Sequence, residues 1–220
     1  MPNATPPDQD PLEATIAPFY RAIGKATVRW QHVEAGLFVL THAILGTDNK
    51  FSSVVFFHIQ SADAKVQLVD RLCRAYFDEG IVDEWGEIHK DLRDALPFRN
   101  AMAHWEANFI IDPSFLELGE PPIALTRHHL DIRSEADTRV LSTSTATEVA
   151  DEYLVLAGRL LRFVAAHFSI EKLRATHLQP RLLQYLENIQ TDPPAPLPPR
   201  RPSPASPPRR SRRRTERRRR

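Results

Sequence analysis

The stretch IAPFYRAIGKATVRWQHVEAGLFVLTHAIL, residues 16–45, decides the fold. Apolar residues recur in it at alternating steps of three and four. They are Ile16, Phe19, Ile23, Ala26, Trp30, Val33, Leu37, Leu40 and Ile44. This spacing follows the turn of an α-helix and predicts one long helix with a heptad-like apolar stripe that ends at Gly46.

Three further patterns predict helices before residue 105. The segment NKFSSVVFFHIQ, residues 49–60, is short and apolar and is interpreted as helical. Ser61 is a residue type favoured at the N-cap of a helix, and Asp63 is a type favoured in the first turn, so a helix is predicted from there to Gly80. The third pattern is the stripe Trp85, Ile88, Leu92 and Leu96. Pro97 follows it and must kink or restart that helix, because proline has no N–H and clashes with the preceding turn.

A small β-hairpin is predicted next. The segments ANFIID, residues 107–112, and IALTRH, residues 123–128, have strand-like composition. The segment between them, PSFLELGEPP, is rich in turn residues. The hairpin interrupts a chain that is otherwise helical.

Two more helices complete the pattern. Thr145 and Glu148 have the spacing of a capping box, which predicts a helix that stops near Ser169. A last helix is expected over residues 170–189, interrupted by Pro180.

The whole pattern predicts an all-α fold, an antiparallel helical bundle with a small β-hairpin insertion and disordered termini. Residues 1–12 form a disordered N-terminal segment, residues 13–190 the bundle, and residues 191–220 a disordered Pro/Arg-rich basic tail.

Charge divides the chain into an acidic body and a basic arm. Residues 191–220 contain 11 Arg against Asp192 and Glu216, a net charge of +9. Residues 1–190 carry 18 Lys+Arg against 26 Asp+Glu, a net charge of −8. We therefore expect the arm to make the first contact with a polyanion such as RNA. The candidate nucleic-acid-binding residues in it are Arg209, Arg210, Arg212, Arg213 and Arg214.

Other sequence signals set the compartment and exclude several chemistries. A single cysteine, Cys73, and the lack of a leader or a long apolar run favour a cytoplasmic protein without membrane contact. No glycine-rich phosphate loop, HExxH or CxxC pair is present, so no cofactor and no metal site are predicted. His128 and His129 are adjacent and would point to opposite faces of a strand. The helical histidines, interpreted as surface or core residues, are His32, His42, His58 and His89.

The segment LPFRNAMAHWEANF, residues 96–109, carries the candidate catalytic residues Arg99, Asn100 and His104. A histidine can take the proton of a ribose 2′-hydroxyl at neutral pH, and a guanidinium can neutralise charge that grows on a phosphorane. On an ideal helix Asn100 and His104 are about 40° apart, whereas Arg99 is about 140° from His104. The alternative is structural: Ala101 and its neighbours pack inward while the polar residues serve the helix end.

The run RNAMAH, residues 99–104, resembles the Arg-x4–6-His motif of the HEPN superfamily, whose second residue is typically polar. The segment RWQHVEAGL around Trp30 also resembles uncharacterised bacterial members, and the resemblance covers roughly residues 15–170. It implies a helical bundle that dimerises so that two motifs face one cleft, and often a metal-independent endoribonuclease. Many such proteins are toxins or defence effectors with a neutralising protein partner, and others do not catalyse.

The chain contains an internal control for this motif. Arg162 and His167 also fit Arg-x4-His, but Phe163 takes the place of the polar residue, so this second match is interpreted as structural. Glu34 either orients Arg99 as a supporting carboxylate or is a solvated flank residue. The rival to the ribonuclease is a non-catalytic dimeric scaffold that the Arg-rich tail attaches to RNA or ribosomes.

Overall fold

The computed structural model describes residues 11–109, 123–126 and 141–191. This part of the chain forms a helical bundle with one two-stranded antiparallel sheet, as predicted. Its helices are α1 (Pro11–Leu45), α2 (Asn49–Phe57), α3 (Ala62–Tyr76), α4 (Glu79–His104), α5 (Thr143–His167), α6 (Ile170–Ala175) and α7 (Pro180–Thr191). The strands are β1 (Glu106–Phe109) and β2 (Ile123–Thr126).

The long apolar stripe of α1 is confirmed as the centre of the core. Its buried members are Phe19, Ala26, Trp30, Val33, Leu37 and Leu40. The helix ends as predicted at Gly46, which has a φ of 60°, a left-handed conformation that glycine adopts without a steric cost.

The largest helix pair, α1 with α5, runs in the same direction. Lys25 and Arg29 pair with Asp151, and further along both helices Gly36 lies against Leu160. A Cβ atom on Gly36 would be 3.0 Å from the Cβ of Leu160, so the missing side chain allows this close approach.

Helix α4 is antiparallel to α3 and to α5. Trp85 of α4 donates a hydrogen bond to Asp70 of α3 over 3.0 Å, and Arg93 pairs with Asp63. Between α4 and α5, the Tyr153 hydroxyl donates to the Ala95 carbonyl over 3.2 Å. These contacts place the C-terminal end of α4 beside the N-terminal part of α5.

Two predicted helix boundaries are wrong. Helix α3 ends at Tyr76, and Gly80 lies in the first turn of α4 instead. Helix α5 begins at Thr143, because Ser142 accepts a hydrogen bond from the Thr145 amide over 3.3 Å and caps the helix. The capping box predicted at Thr145 therefore does not start this helix.

The prolines act differently from one another. Helix α4 continues through Pro97, so a restart there is wrong. Leu96 and Ala101 are buried on either side, and this packing holds the helix across the missing N–H. Pro180 is the first residue of α7, where no N–H bond is needed. The predicted interruption of the last helix is confirmed.

The hairpin closes one end of the bundle. Glu106 pairs with Thr126 and Phe109 with Ile123, and Leu125 forms a further bridge with Leu141. The second hydrophobic cluster lies here and consists of Phe19, Ala22, Ile123, Leu125, Leu141 and Ala146. The rest of the predicted hairpin, residues 110–122 and 127–128, lies outside the described residues. So do residues 1–10 and 192–220 of the segments predicted to be disordered, whereas residues 11–12 belong to α1 and Thr191 to α7, so these two predicted boundaries are wrong.

Candidate functional site

The candidate residues Arg99, Asn100 and His104 occupy the last two turns of α4. The helix stops at His104, and the N–H of Trp105 donates to the Ala101 carbonyl over 2.8 Å. The chain then turns directly into β1. The candidate residues thus lie at the end of the bundle that the hairpin closes.

Asn100 and His104 are exposed, and Arg99 is partly buried. Residues four apart on a helix are neighbours on its surface, so Asn100 and His104 share an accessible face. Arg99 reaches toward that face, since its Nη1 donates to Asn100 Oδ1 over 3.4 Å. The structure therefore links the arginine to the amide and places the amide beside the histidine.

Three neighbouring residues face inward. Ala101 is buried, and Met102 and Trp105 are half-buried against the second hydrophobic cluster. This part of the structural alternative is confirmed. In the same helix end, Arg99 bonds an amide side chain rather than a backbone carbonyl, and His104 lies in the last turn, where the helix dipole favours a cation.

Arg99 also acts on a buried tyrosine of α5. Burial raises the pKa of Tyr153, the charge of Glu152 adds to the rise, and the positive charge of Arg99 opposes it. Arg99 therefore lies within electrostatic reach of the α4–α5 contact, where Tyr153 bonds the Ala95 carbonyl.

Glu34 is bonded to side chains of α1 and α3. Trp30 Nε1 donates to its carboxylate over 2.9 Å, and Lys65 Nζ donates over 2.8 Å. Lys65 is buried, so the carboxylate compensates a buried ammonium and ties α1 to α3. An orienting role of Glu34 toward Arg99 stays a prediction.

The control motif is built differently. His167 Nε2 lies 3.0 Å from Glu84 Oε2, and its ring packs at 4.6 Å from the ring of buried Phe163. Burial lowers the pKa of Arg162. These residues are part of the packing of α5, in agreement with the structural interpretation.

His42 and His89 have partners that the sequence did not reveal. His42 is buried between Ser52 and Thr176, with 3.1 Å from Nδ1 to Ser52 Oγ and 2.7 Å from Nε2 to Thr176 Oγ1. His89 lies 3.6 Å from Asp70 in a cleft between α3 and α4. The i,i+4 spacing of His89 and Arg93 is the sequence feature from which this cleft could have been predicted, and it was not recognised.

Two sets of predicted residues lie outside the described part of the chain: His128 with His129, and the tail residues Arg209, Arg210, Arg212, Arg213 and Arg214. Within residues 11–109, 123–126 and 141–191, no group of three or more His, Cys, Asp or Glu could hold a metal ion. In the same ranges no helix is long and apolar enough to cross a membrane.

Comparisons of the chain with family models, with curated proteins and with solved structures gave no match. The fold and site together define a helical bundle that presents an arginine, an amide and a histidine at one end.

Proposed function

We propose that this protein is a metal-independent endoribonuclease of the HEPN type. The observation that carries the proposal is the exposed pair Asn100 and His104, which lie on one helix face, with Arg99 bonded to Asn100. A polar set that only served the helix end would be expected to bond backbone carbonyls instead. The resemblance of the RNAMAH run to the HEPN motif supports the same function.

The groups suit transesterification of RNA. His104 takes the proton of a ribose 2′-hydroxyl, and the 2′-oxygen forms a bond to phosphorus while the bond to the 5′-oxygen breaks. The leaving oxygen takes a proton from solvent. Arg99 neutralises the charge that develops on the phosphorane, and Asn100 holds Arg99 and orients a phosphate oxygen. The products are a 2′,3′-cyclic phosphate and a 5′-hydroxyl end.

A second copy of the chain would complete the cleft. In one bundle Asn100 and His104 lie on an exposed face of α4 and Arg99 reaches toward it, so substrate would be held from one side alone. A symmetric dimer would bring two such faces together. Sedimentation at micromolar concentration should show a dimer, and a monomer alone would contradict this part of the proposal.

The test of the function is cleavage of RNA by purified full-length protein in the presence of a chelator. Wild type should cut the RNA and leave cyclic phosphate ends, whereas Arg99→Ala and His104→Ala should each reduce the rate by about a hundredfold or more. If wild-type protein leaves the RNA intact under these conditions, the proposed catalytic function is wrong. A toxin or defence role, with a neutralising protein partner, is proposed from the resemblance alone.

A second candidate function is a non-catalytic interaction module with an RNA-binding or ribosome-binding tail. It is favoured by α2, whose outer face exposes Phe51 by 58%, Val54 by 69% and Phe57 by 51%. A contiguous apolar face of this kind commonly marks a protein contact. If the protein is such a module, Phe51→Ser with Val54→Ser would abolish partner binding, and the His104 variant would not.

A further inference from the structure

Helices α3 and α4 form an open cleft of about 300 Å³ on the flank of the bundle. The side chains that line it are those of Gln67, Asp70, Arg71, His89 and Arg93. This set combines two guanidinium groups, an imidazole and an amide with a single carboxylate. The function proposed above uses none of these residues.

The carboxylate in the cleft is already engaged by its own neighbours. Asp70 accepts a hydrogen bond from Trp85 Nε1 over 3.0 Å and from Arg74 Nε over 3.0 Å. Burial by itself would raise the pKa of Asp70, but these two bonds and the positive charges nearby outweigh it, and the pKa lies below its usual value. Asp70 is therefore a fixed anion that supports His89, whose Nδ1 is 3.6 Å away. Among the described residues no hydrogen bond engages His89 Nε2, so this atom can bind a ligand.

The cations of the cleft are available to a ligand. Arg71 is exposed, and it makes no hydrogen bond or ion pair with another residue in the described ranges. Arg93 is half-exposed and pairs with Asp63 at the surface, where ion pairs exchange partners at little cost. Arginine forks fit phosphate oxygens with two parallel bonds, and phosphate groups are the anions such a set recognises best.

The cleft and the candidate site share one face of α4. On an ideal helix His89, Arg93, Asn100 and His104 fall within about 60° of one another over a rise of about 22 Å. The helix continues through Pro97, so this stripe is carried by one element. A phosphate held at Arg71 and Arg93 and a phosphate held beside Asn100 and His104 would therefore lie along one face of α4.

We propose that the α3–α4 cleft binds a backbone phosphate of a single-stranded RNA that runs along this face of α4. The inference deepens the proposed function by giving the substrate a second anchoring point. Its alignment with His104 rests on that function, whereas phosphate binding in the cleft does not require cleavage.

The test uses the full chain and a 2′-O-methyl RNA oligonucleotide, which keeps the phosphates but has no 2′-hydroxyl to react. Binding is measured by fluorescence anisotropy across a salt series for wild type, Arg71→Gln and the double variant Arg71→Gln/Arg93→Gln. For each phosphate that is no longer neutralised, the slope of log affinity against log salt should flatten by about 0.7. The matched control is Arg181→Gln, the same change of charge at an exposed position on α7.

Equal effects of Arg71→Gln and Arg181→Gln would mean that net charge alone is responsible, and would overturn the proposal. A second readout is the indole N–H of Trp85, which lies against the cleft through Asp70 and can be followed by NMR. It should shift with the oligonucleotide at far lower concentration than with inorganic phosphate. If the oligonucleotide and inorganic phosphate act at the same concentration, the cleft binds a small free anion and not an RNA strand, and the proposal is overturned. If wild type binds the oligonucleotide as expected but does not cleave RNA, the proposed ribonuclease function is wrong and the proposed RNA binding in the cleft still stands.

Discussion

At the scale of single residues, two histidines that look alike in the sequence have opposite surroundings. His104 is exposed at the end of α4, whereas the side chain of His167 is only 18% exposed and packs on Phe163. The motif Arg-x4-His by itself does not separate them. Burial and packing do, and they predict different consequences of the same substitution.

His104→Ala should change the free energy of unfolding by less than about 0.5 kcal/mol, because the exposed ring makes no packing contribution of note. His167→Ala should cost about 1–2 kcal/mol, because it removes the packing on Phe163 and the bond to Glu84. Urea unfolding followed by circular dichroism measures both, and cleavage assays on the same preparations should show the reverse order of effects. A large loss of stability at His104, with no cleavage by wild type, would favour the scaffold.

His42 is expected to make the stability of the fold depend on pH. Burial lowers its pKa, and the carboxylate of Asp48 offsets this in part. The folded protein therefore resists protonation of His42 more than the unfolded chain does. Above the unfolded pKa of about 6.5 both states are neutral, and as the pH falls below that value the unfolded chain gains the proton first. The contribution of His42 to stability then declines progressively.

Melting temperatures at pH 7.5 and pH 5.5 test this contribution. Wild type should melt at a lower temperature at pH 5.5, and His42→Gln should reduce the difference between the two pH values. His32→Gln is the matched control, because His32 is exposed on the same helix. If the His42 and His32 variants keep the same pH dependence as wild type, another group is responsible.

At the scale of secondary-structure elements, one close helix pair organises the bundle. Helices α1 and α5 run in the same direction and meet at Gly36 and Leu160. Leu160 is fully buried, so its side chain has little room to move away. Helix α5 also contacts α4, which carries the candidate site, through the bond from Tyr153 to the Ala95 carbonyl.

Gly36→Ala should destabilise the protein by about 1–3 kcal/mol, because the added methyl group would overpack this contact. Gly24→Ala on the same helix is the control. A Cβ atom there meets nothing within 4 Å, so alanine should stabilise the helix by about 0.5–1 kcal/mol. Chemical unfolding of both variants should give opposite signs, and a stabilising effect at Gly36 would mean that the two helices can separate freely.

At the scale of the whole molecule, charge is divided between an acidic body and a basic arm. The arm's 11 Arg are interspersed with prolines. If it binds RNA, the arm supplies most of the salt-dependent affinity, while the α3–α4 cleft and the end of α4 position the strand. This division of roles is a prediction from the composition of the arm.

Removal of the arm after Thr191, where α7 ends, should leave the fold intact and flatten the salt dependence of RNA binding. Each phosphate that the arm neutralises should account for about 0.7 of the slope. Titrations of the full and shortened chains at several salt concentrations measure this. An unchanged slope would show that the arm binds protein, or keeps the chain soluble, without binding RNA.

The sequence by itself determined the helices and the core stripe. Periodicity is a local property, so the stripe from Ile16 to Ile44, the end at Gly46 and the short strands around Ala107 and Ile123 could be predicted from neighbouring residues alone. The boundaries at Tyr76 and Ser142 were missed because several neighbouring residues could end or cap each helix, and the sequence does not show which of them does so.

Only the tertiary structure decided which polar residues meet. Arg99 bonds Asn100, Glu34 compensates Lys65, and His42 lies between Ser52 and Thr176. The partners of Glu34 and His42 come from other elements, and no periodicity along the chain encodes them. The parallel packing of α1 and α5, with its close approach at Gly36, likewise joins residues from distant parts of the chain. Local pattern fixes each helix, whereas the packing of helices from distant parts of the chain decides which of their polar side chains become partners.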